Sequence, residues 1–249
     1  MSAIDLYNRP SADFAAKVER AIALLREQAA LHPRLTQASS LGAEDMVVTH
    51  LLHLAGVDAS VFVLDTGKLH PETLAVIPQI EQRYATSVRV FRPRQEAVVH
   101  FVRKNGEDAM YRSIELRKAC CDIRKMEPLA RALADHDGWI TGLRREQSNA
   151  RAEVAEVIQE TARVKISPLV DWTWGDVWHF IATHALPYNP LHDRFFPSIG
   201  CEPCTRAISV GEDFRAGRWW WEQESAKECG LHVQPATSSL VSSLERSPA

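Results

Sequence analysis

Leu35-Thr36-Gln37-Ala38-Ser39-Ser40-Leu41-Gly42-Ala43-Glu44-Asp45 is the stretch on which the fold turns, and Met46 to Leu54 continues it. Leu35 to Ser39 reads as a short strand that runs into the Ser/Gly-containing loop 39–45. Met46 to Leu54 then has the apolar density of a buried helix, and Gly56 is placed to stop it. A strand that enters a helix through small residues is the first half of a strand–helix–strand unit. It is also an arrangement in which main-chain N–H groups and the helix N-terminus can face an anion.

The same alternation continues outward. Ala12 to Leu31 is rich in Ala, Leu, Glu and Arg at helical spacing and predicts an N-terminal amphipathic helix. Ser60 to Leu64 is a compact apolar strand, Pro71-Glu72 opens another helix, and Val88 to Phe91 repeats the strand signal. Gly138 to Gly142 and Val164 to Ile166 are further strands. The expected fold class is therefore α/β, with a mostly parallel sheet flanked by helices on both faces. The expected division is a helical segment 1–34, an α/β domain 35–210, and a C-terminal segment 211–249 whose Ser, Ala, Pro and Thr from Val233 onward predict a mobile tail.

The 249 residues, 45% hydrophobic, suffice for one sizeable core, and a net charge of −3 provides no global field for nucleic acid or a membrane surface. No basic segment with an apolar run and cleavage site stands at the N-terminus, and no apolar run reaches the ~20 residues that span a bilayer. The expectation is a cytoplasmic protein with no nucleic-acid or membrane partner. The sequence leaves a homo-oligomer open. In a reducing compartment its five cysteines are better suited to metal ligation or redox catalysis than to disulfides.

Three loops are candidates for binding an anionic ligand. Ser39, Ser40 and Gly42 belong to the loop already described. Asp65-Thr66-Gly67 follows a strand at the sheet end where ligands gather, and could hold a hydroxyl, amide or phosphate. Thr141 to Ser148 follows another strand and presents Arg144 and Arg145, whose guanidinium groups bind phosphate or sulfate oxygens in pairs. Taken singly, each also reads as an ordinary polar turn.

Cys201-Glu202-Pro203-Cys204 brings two thiols together on a turn, and Cys120-Cys121 supplies two more from a helical segment. Four thiolates satisfy a structural zinc or a 4Fe-4S cluster, and their spacing does not choose between them. Adjacent helical cysteines point ~100° apart, which is awkward for one metal atom and acceptable for separate irons of a cluster. Cys229 is left over, in Lys227-Glu228-Cys229-Gly230-Leu231-His232, where Lys227 or His232 could favour the nucleophilic thiolate.

In combination, Ser-Ser-Leu-Gly-Ala-Glu-Asp at 39–45, Leu-Asp-Thr-Gly at 64–67, Cys-Cys at 120–121, Cys-Glu-Pro-Cys at 201–204 and Glu-Cys-Gly-Leu-His at 228–232 resemble the assimilatory adenylylsulfate and phosphoadenylylsulfate reductases. The resemblance spans residues 39–232, and the cysteine motifs are its most specific part. It implies a fold related to the adenine-nucleotide α-hydrolases and ATP pyrophosphatases. It also implies a 4Fe-4S cluster on Cys120, Cys121, Cys201 and Cys204, and adenosine 5′-phosphosulfate as substrate. Lys125 matches a basic residue between cluster and substrate. Arg144, Arg215 and Arg218 match positions that engage the phosphosulfate, and His232 accompanies the catalytic Cys229. The loop at 39–45 departs from the Ser-Gly-Gly form of the ATP pyrophosphatases, which argues against cleavage of ATP.

The activity so implied is nucleophilic. Cys229 attacks the sulfate sulfur, AMP leaves, and thioredoxin or another thiol donor releases sulfite from an S-sulfocysteine, within sulfate assimilation and cysteine biosynthesis. The alternatives are a reductase that prefers the 3′-phosphorylated nucleotide, an ATP-dependent sulfurtransferase of the same fold, and a zinc-stabilised binding module without catalysis.

Overall fold

Five strands run parallel: helices carry the chain back between the first four, and a short strand with two short helical turns carries it on to the fifth. The computed structural model describes residues 1–209 and 211–223. Helices α1 (Ala3–Tyr7) and α2 (Phe14–Leu31) precede β1 (Leu35–Ser39), and α3 (Ala43–Ala55) leads to β2 (Ser60–Leu64). Helices α4 (Pro71–Leu74) and α5 (Ile77–Tyr84) lead to β3 (Val88–Phe91). Then come α6 (Gln95–Asn105), α7 (Ile114–Cys121), α8 (Glu127–Ala132), β4 (Gly138–Ile140), β5 (Val157–Gln159), β6 (Val164–Ile166) and α9 (Trp174–Thr183). The described residues form a six-stranded sheet of order β3-β2-β1-β4-β6-β5, parallel except where β5 pairs antiparallel with β6.

The expected α/β architecture is thus present, with one strand that the sequence reading did not find. Val157-Ile158-Gln159 is a three-residue edge strand that pairs with β6 alone. Helix α3 does end at Gly56, whose φ of 66° gives the left-handed cap that glycine adopts without steric cost. The helix opened by Pro71 is broken into two pieces, α4 and α5, by Ala75 and Val76.

One face of the sheet is covered by α2, α3 and α9, through Leu25, Val47, Val48, Leu51, Val177 and Phe180 packed on Leu35, Ile140, Val164 and Ile166. On the other face Leu129, Ala132 and Leu133 cover Phe62 and Trp139. The segment 1–34 has no core of its own: Ala3, Ala21 and Leu25 belong to the same cluster as the strands. Its attachment is also polar. Asp176, in the first turn of α9, accepts from the Ser11 amide at 2.7 Å and pairs with Lys17 at 3.0 Å, with both charged groups buried.

Two expectations follow. A Cβ on Gly175 would overlap the carbonyl oxygen of Arg9, a main-chain atom that cannot swing away. Gly175→Ala should therefore lower stability by about 1–3 kcal/mol in urea unfolding, as overpacking does elsewhere. His50, buried in α3 beside His184, His53 and Arg83, has its pKa pushed down to about 4 by burial and by those cations. The unfolded chain takes up a proton at its ordinary pKa of about 6.5 while the folded chain refuses it, so stability falls as pH drops from 6.5 to 4. His50→Gln should flatten that part of the stability–pH curve; an unchanged slope would contradict the assignment.

Candidate functional site

The sheet order reverses between β1 and β4: β2 and β3 continue outward on one side of β1, while β4, β6 and β5 lie on the other. Loops leaving the carboxyl ends of the two strands diverge there and open a crevice, the usual ligand position in open α/β sheets. A cleft occupies that place. Ser39, Ser40 and Gly42 line it from β1, Leu64 and Thr66 from β2, and Thr141 and Gly142 from β4. Lys125, Arg151, Arg215 and Arg218 bring side-chain cations to its walls.

Local structure explains how each loop contributes. Leu41 adopts φ 62°, unusual for a branched-chain residue, and its fully buried side chain joins Met46, Val61 and Val63. Burial offsets the steric cost, so no glycine is needed there. In the second loop the Asp65 carboxylate accepts from the Gly67 amide at 3.0 Å and from Arg92 Nε at 2.8 Å. Gly67 sits at φ 69°. Asp65 and Gly67 therefore shape the turn, and Thr66 is the member that reaches the cleft.

Arg144 requires a correction. The expectation that it engages the phosphosulfate is not met by its position: it is buried, with Nη2 3.0 Å from Glu44 Oε1 and Nη1 2.6 Å from Glu146 Oε2. Trp174 and Phe214 lie beside the guanidinium. Two carboxylates and a tertiary contact with the Trp172 carbonyl hold it away from the lining. Gln147, from the same candidate loop, and Arg151, beyond it and not singled out in the sequence, stand in the cleft wall. Two successive three-residue helical turns, Arg145–Gln147 and Asn149–Arg151, place them there. Arg218 is buried with its Nε lacking a hydrogen-bond partner among the described residues, and a Cβ on Gly200 would overlap its guanidinium. A buried donor without an acceptor beside an open cleft fits an anionic ligand.

Cys120, Cys121, Cys201 and Cys204, from α7 and from the short helical turn at Glu202–Cys204, line a second, smaller cavity. The turn is fastened by an antiparallel bridge from Cys201 to Leu69 and by the Glu202 amide, which donates to the Lys68 carbonyl at 2.8 Å. Directly after Cys121 the helix widens into a π-helical turn, Asp122–Met126, before α8 begins. Such turns are frequent at functional sites because they re-aim side chains that α geometry would point elsewhere. Here Arg124 donates to the Thr66 carbonyl at 2.7 Å and reaches Cys120, while Lys125 lines both cavities. Trp219 is the other residue that lines both, and its buried Nε1 has no hydrogen-bond partner among the described residues.

The donor set fits a metal–sulfur group. Burial raises the Cys120 thiol and, with Cys201 adjacent, pushes the Cys204 thiol up to about 12. A thiolate in such a place needs a compensating cation. Lys68, Arg117, Arg124 and Lys125 surround the cavity. Among the described residues no three His, Cys, Asp or Glu side chains converge as a single-ion site, so the thiols encircle a space and do not meet at a point.

Arg117, fully buried on α7, pairs with Glu222 at 2.8 Å and stacks 4.5 Å from the Trp219 ring centroid. This fastens the beginning of the C-terminal segment to the helix that carries Cys120 and Cys121. Cys229 and His232 lie outside the described residues. Glu222→Gln withdraws the charge from a buried guanidinium and should cost about 3–5 kcal/mol. Chemical denaturation measures this; a loss below 1 kcal/mol would mean the pair contributes little.

The family model described as phosphoadenosine phosphosulfate reductase domain matches residues 34–207. A Burkholderia cepacia protein named adenosine 5′-phosphosulfate reductase is 53% identical over 227 residues, covering 90% of this chain and 91% of that protein. One of the same name from Allochromatium vinosum is 49% identical, covering 84% of each. Among solved structures, the phosphoadenylyl-sulfate reductase of Candida auris superposes with a TM-score of 0.63 at 22% identity, over 78% of this chain and 97% of that one. Candida glabrata FMN adenylyltransferase superposes at 0.55 and 14% identity, over 90% of this chain and 83% of that one, a likeness of fold alone. With the strand-end loops of the cleft and both cysteine pairs inside the matched region, the chain belongs to the phosphoadenosine phosphosulfate reductase domain family.

Proposed function

We propose that the chain reduces adenosine 5′-phosphosulfate to sulfite and AMP, with Cys229 as nucleophile, in sulfate assimilation. The observation that carries this reading is the wall that Lys125 and Trp219 share between a cation-lined cleft and a cavity of four thiols. Sequence identity along nine-tenths of the chain to a protein named adenosine 5′-phosphosulfate reductase supports the same substrate.

The nucleotide lies in the cleft, and Lys125, Arg215 and Arg218 neutralise the phosphosulfate as negative charge grows on the leaving phosphate oxygen. The Cys229 thiolate attacks the sulfate sulfur, an S–S bond forms, and the S–O bond to phosphate breaks with its electron pair leaving on AMP. A dithiol protein of the thioredoxin class then attacks the Cys229 sulfur, expelling sulfite, and its second thiol resolves the mixed disulfide. That dithiol supplies both electrons and ends as a disulfide. Cys120, Cys121, Cys201 and Cys204 would hold a 4Fe-4S cluster, which when bound supplies charge to which Lys125 and its neighbours respond. Burial of Trp219 against the thiols keeps water from that wall.

Incubation with radiolabelled adenosine 5′-phosphosulfate before any reductant tests the scheme. Wild-type protein should retain label covalently and release it as sulfite when thioredoxin is added. Cys229→Ser should trap none, and turnover should fall by about a thousandfold or more. Normal turnover by that variant would end the assignment. Equal amounts of iron and acid-labile sulfide support the cluster, whereas stoichiometric zinc opposes it.

A further inference from the structure

The β1–α3 loop has the form of an anion nest, yet its donors are already engaged from within. Ser40 donates through both its amide and its hydroxyl to Asp45 Oδ2, each at 2.6 Å. The Gly142 amide, arriving from β4, donates to Asp45 Oδ1 at 3.1 Å. The Leu41 amide donates to Ser39 Oγ at 3.1 Å, and the Gly42 amide to Ser40 Oγ at 3.4 Å. The Ala43 amide, at the N-terminus of α3, donates to His192 Nε2 at 3.2 Å. His192 Nδ1 lies 2.8 Å from the Phe196 carbonyl oxygen, which can only accept. The proton is therefore on Nδ1, and Nε2 offers its lone pair to the helix. Four consecutive loop amides and a fifth from β4 thus have internal acceptors, and one acceptor is a carboxylate.

We propose that Asp45 is a specificity-determining residue: its carboxylate holds the Ser40 and Gly142 amides at the mouth of a nest whose remaining donors are held by Ser39, Ser40 and His192, and so closes it to the pyrophosphate end of a nucleoside triphosphate. The cleft then takes adenine nucleotides whose anionic groups can be met by the side-chain cations Lys125, Arg215 and Arg218 on the opposite walls. An entering pyrophosphate would meet a buried negative charge and find no unengaged donor among amides 40–43, so its own desolvation would go uncompensated. Gly142 is part of the device. A Cβ there would stand 2.7 Å from Asp45 Oδ1 and 3.2 Å from the Asp45 amide, so only glycine lets the β4 loop close on the carboxylate. Burial pushes the Asp45 carboxyl up to about 6, against the pull of the Ser40 hydrogen bonds. Its charge is present at pH 8.

This inference rests on the nucleotide-binding reading above, and binding rather than turnover tests it. AMP and magnesium-free ATP are titrated calorimetrically at pH 8 into the wild-type protein and into D45A and D45N, with folding checked by circular dichroism and thermal unfolding. Wild-type protein should bind AMP at least tenfold more tightly than ATP, and a folded variant should narrow that ratio tenfold or more, with D45A the larger gain because it frees the Ser40 and Gly142 donors. A wild-type ratio below tenfold overturns the proposal, and so does a ratio that stays fixed in a folded variant. Should neither variant fold, the wild-type ratio alone decides. Failure of AMP to bind at all would sink the nucleotide reading itself, whereas AMP binding with no discrimination against ATP sinks only the role of Asp45.

Discussion

Burying four thiols in one cavity sets a demand that much of the chain is arranged to meet. A buried thiolate is unstable without positive charge nearby, and burial here raises the Cys120 and Cys204 thiols. Cations therefore come from two separate parts of the chain: Lys68 from the loop after β2, and Arg117, Arg124 and Lys125 from α7 and the π-helical turn that continues it. The turn at Glu202–Cys204 is held by main-chain bonds to Leu69 and Lys68 and by the Trp219 amide donating to Cys204.

Those tethers also create the reactive cleft. The loop that carries Thr66 toward the nucleotide side places its hydroxyl 3.2 Å from Cys201 Sγ, so the second strand-end loop is shaped by the cysteines as much as by the sheet. Lys125 and Trp219 stand in both walls. Electrostatic changes on the thiol side are therefore felt where the phosphosulfate would lie, across one layer of side chains and not through a long relay. Arg117 and Glu222 extend the coupling to the chain segment that precedes Cys229.

The loop between β1 and α3 follows another logic. In an α/β nucleotide site the helix N-terminus commonly meets the ligand's phosphate. Here Asp45 and His192 meet it instead, and the charge that would receive the ligand is moved to arginine and lysine side chains. The cost is a buried carboxylate and a left-handed Leu41; the gain is a loop that is already ordered before ligand arrives.

The positions of five strands, the stop of α3 and the pairing of the four clustered cysteines were open to reading from residue order, because they depend on interactions a few residues apart. An apolar run marks β2, Val88 and Val90 mark β3, Gly56 caps α3, and two cysteine pairs announce a shared site. The same local logic fails where a partner lies far along the chain. Arg144 carries the composition of a phosphate ligand, but Glu44, a hundred residues earlier, claims it. Ser39 to Ala43 has the composition of an open nest, but Asp45, Gly142 and His192 close it. Arg151, His192 and the Arg117–Glu222 pair carry no short-range signal at all. The sequence by itself determined most of the elements and the inventory of reactive groups, since propensity and periodicity are local. Only the tertiary structure decided which charges remain facing the cleft, since ion pairing and burial depend on neighbours that the fold alone supplies.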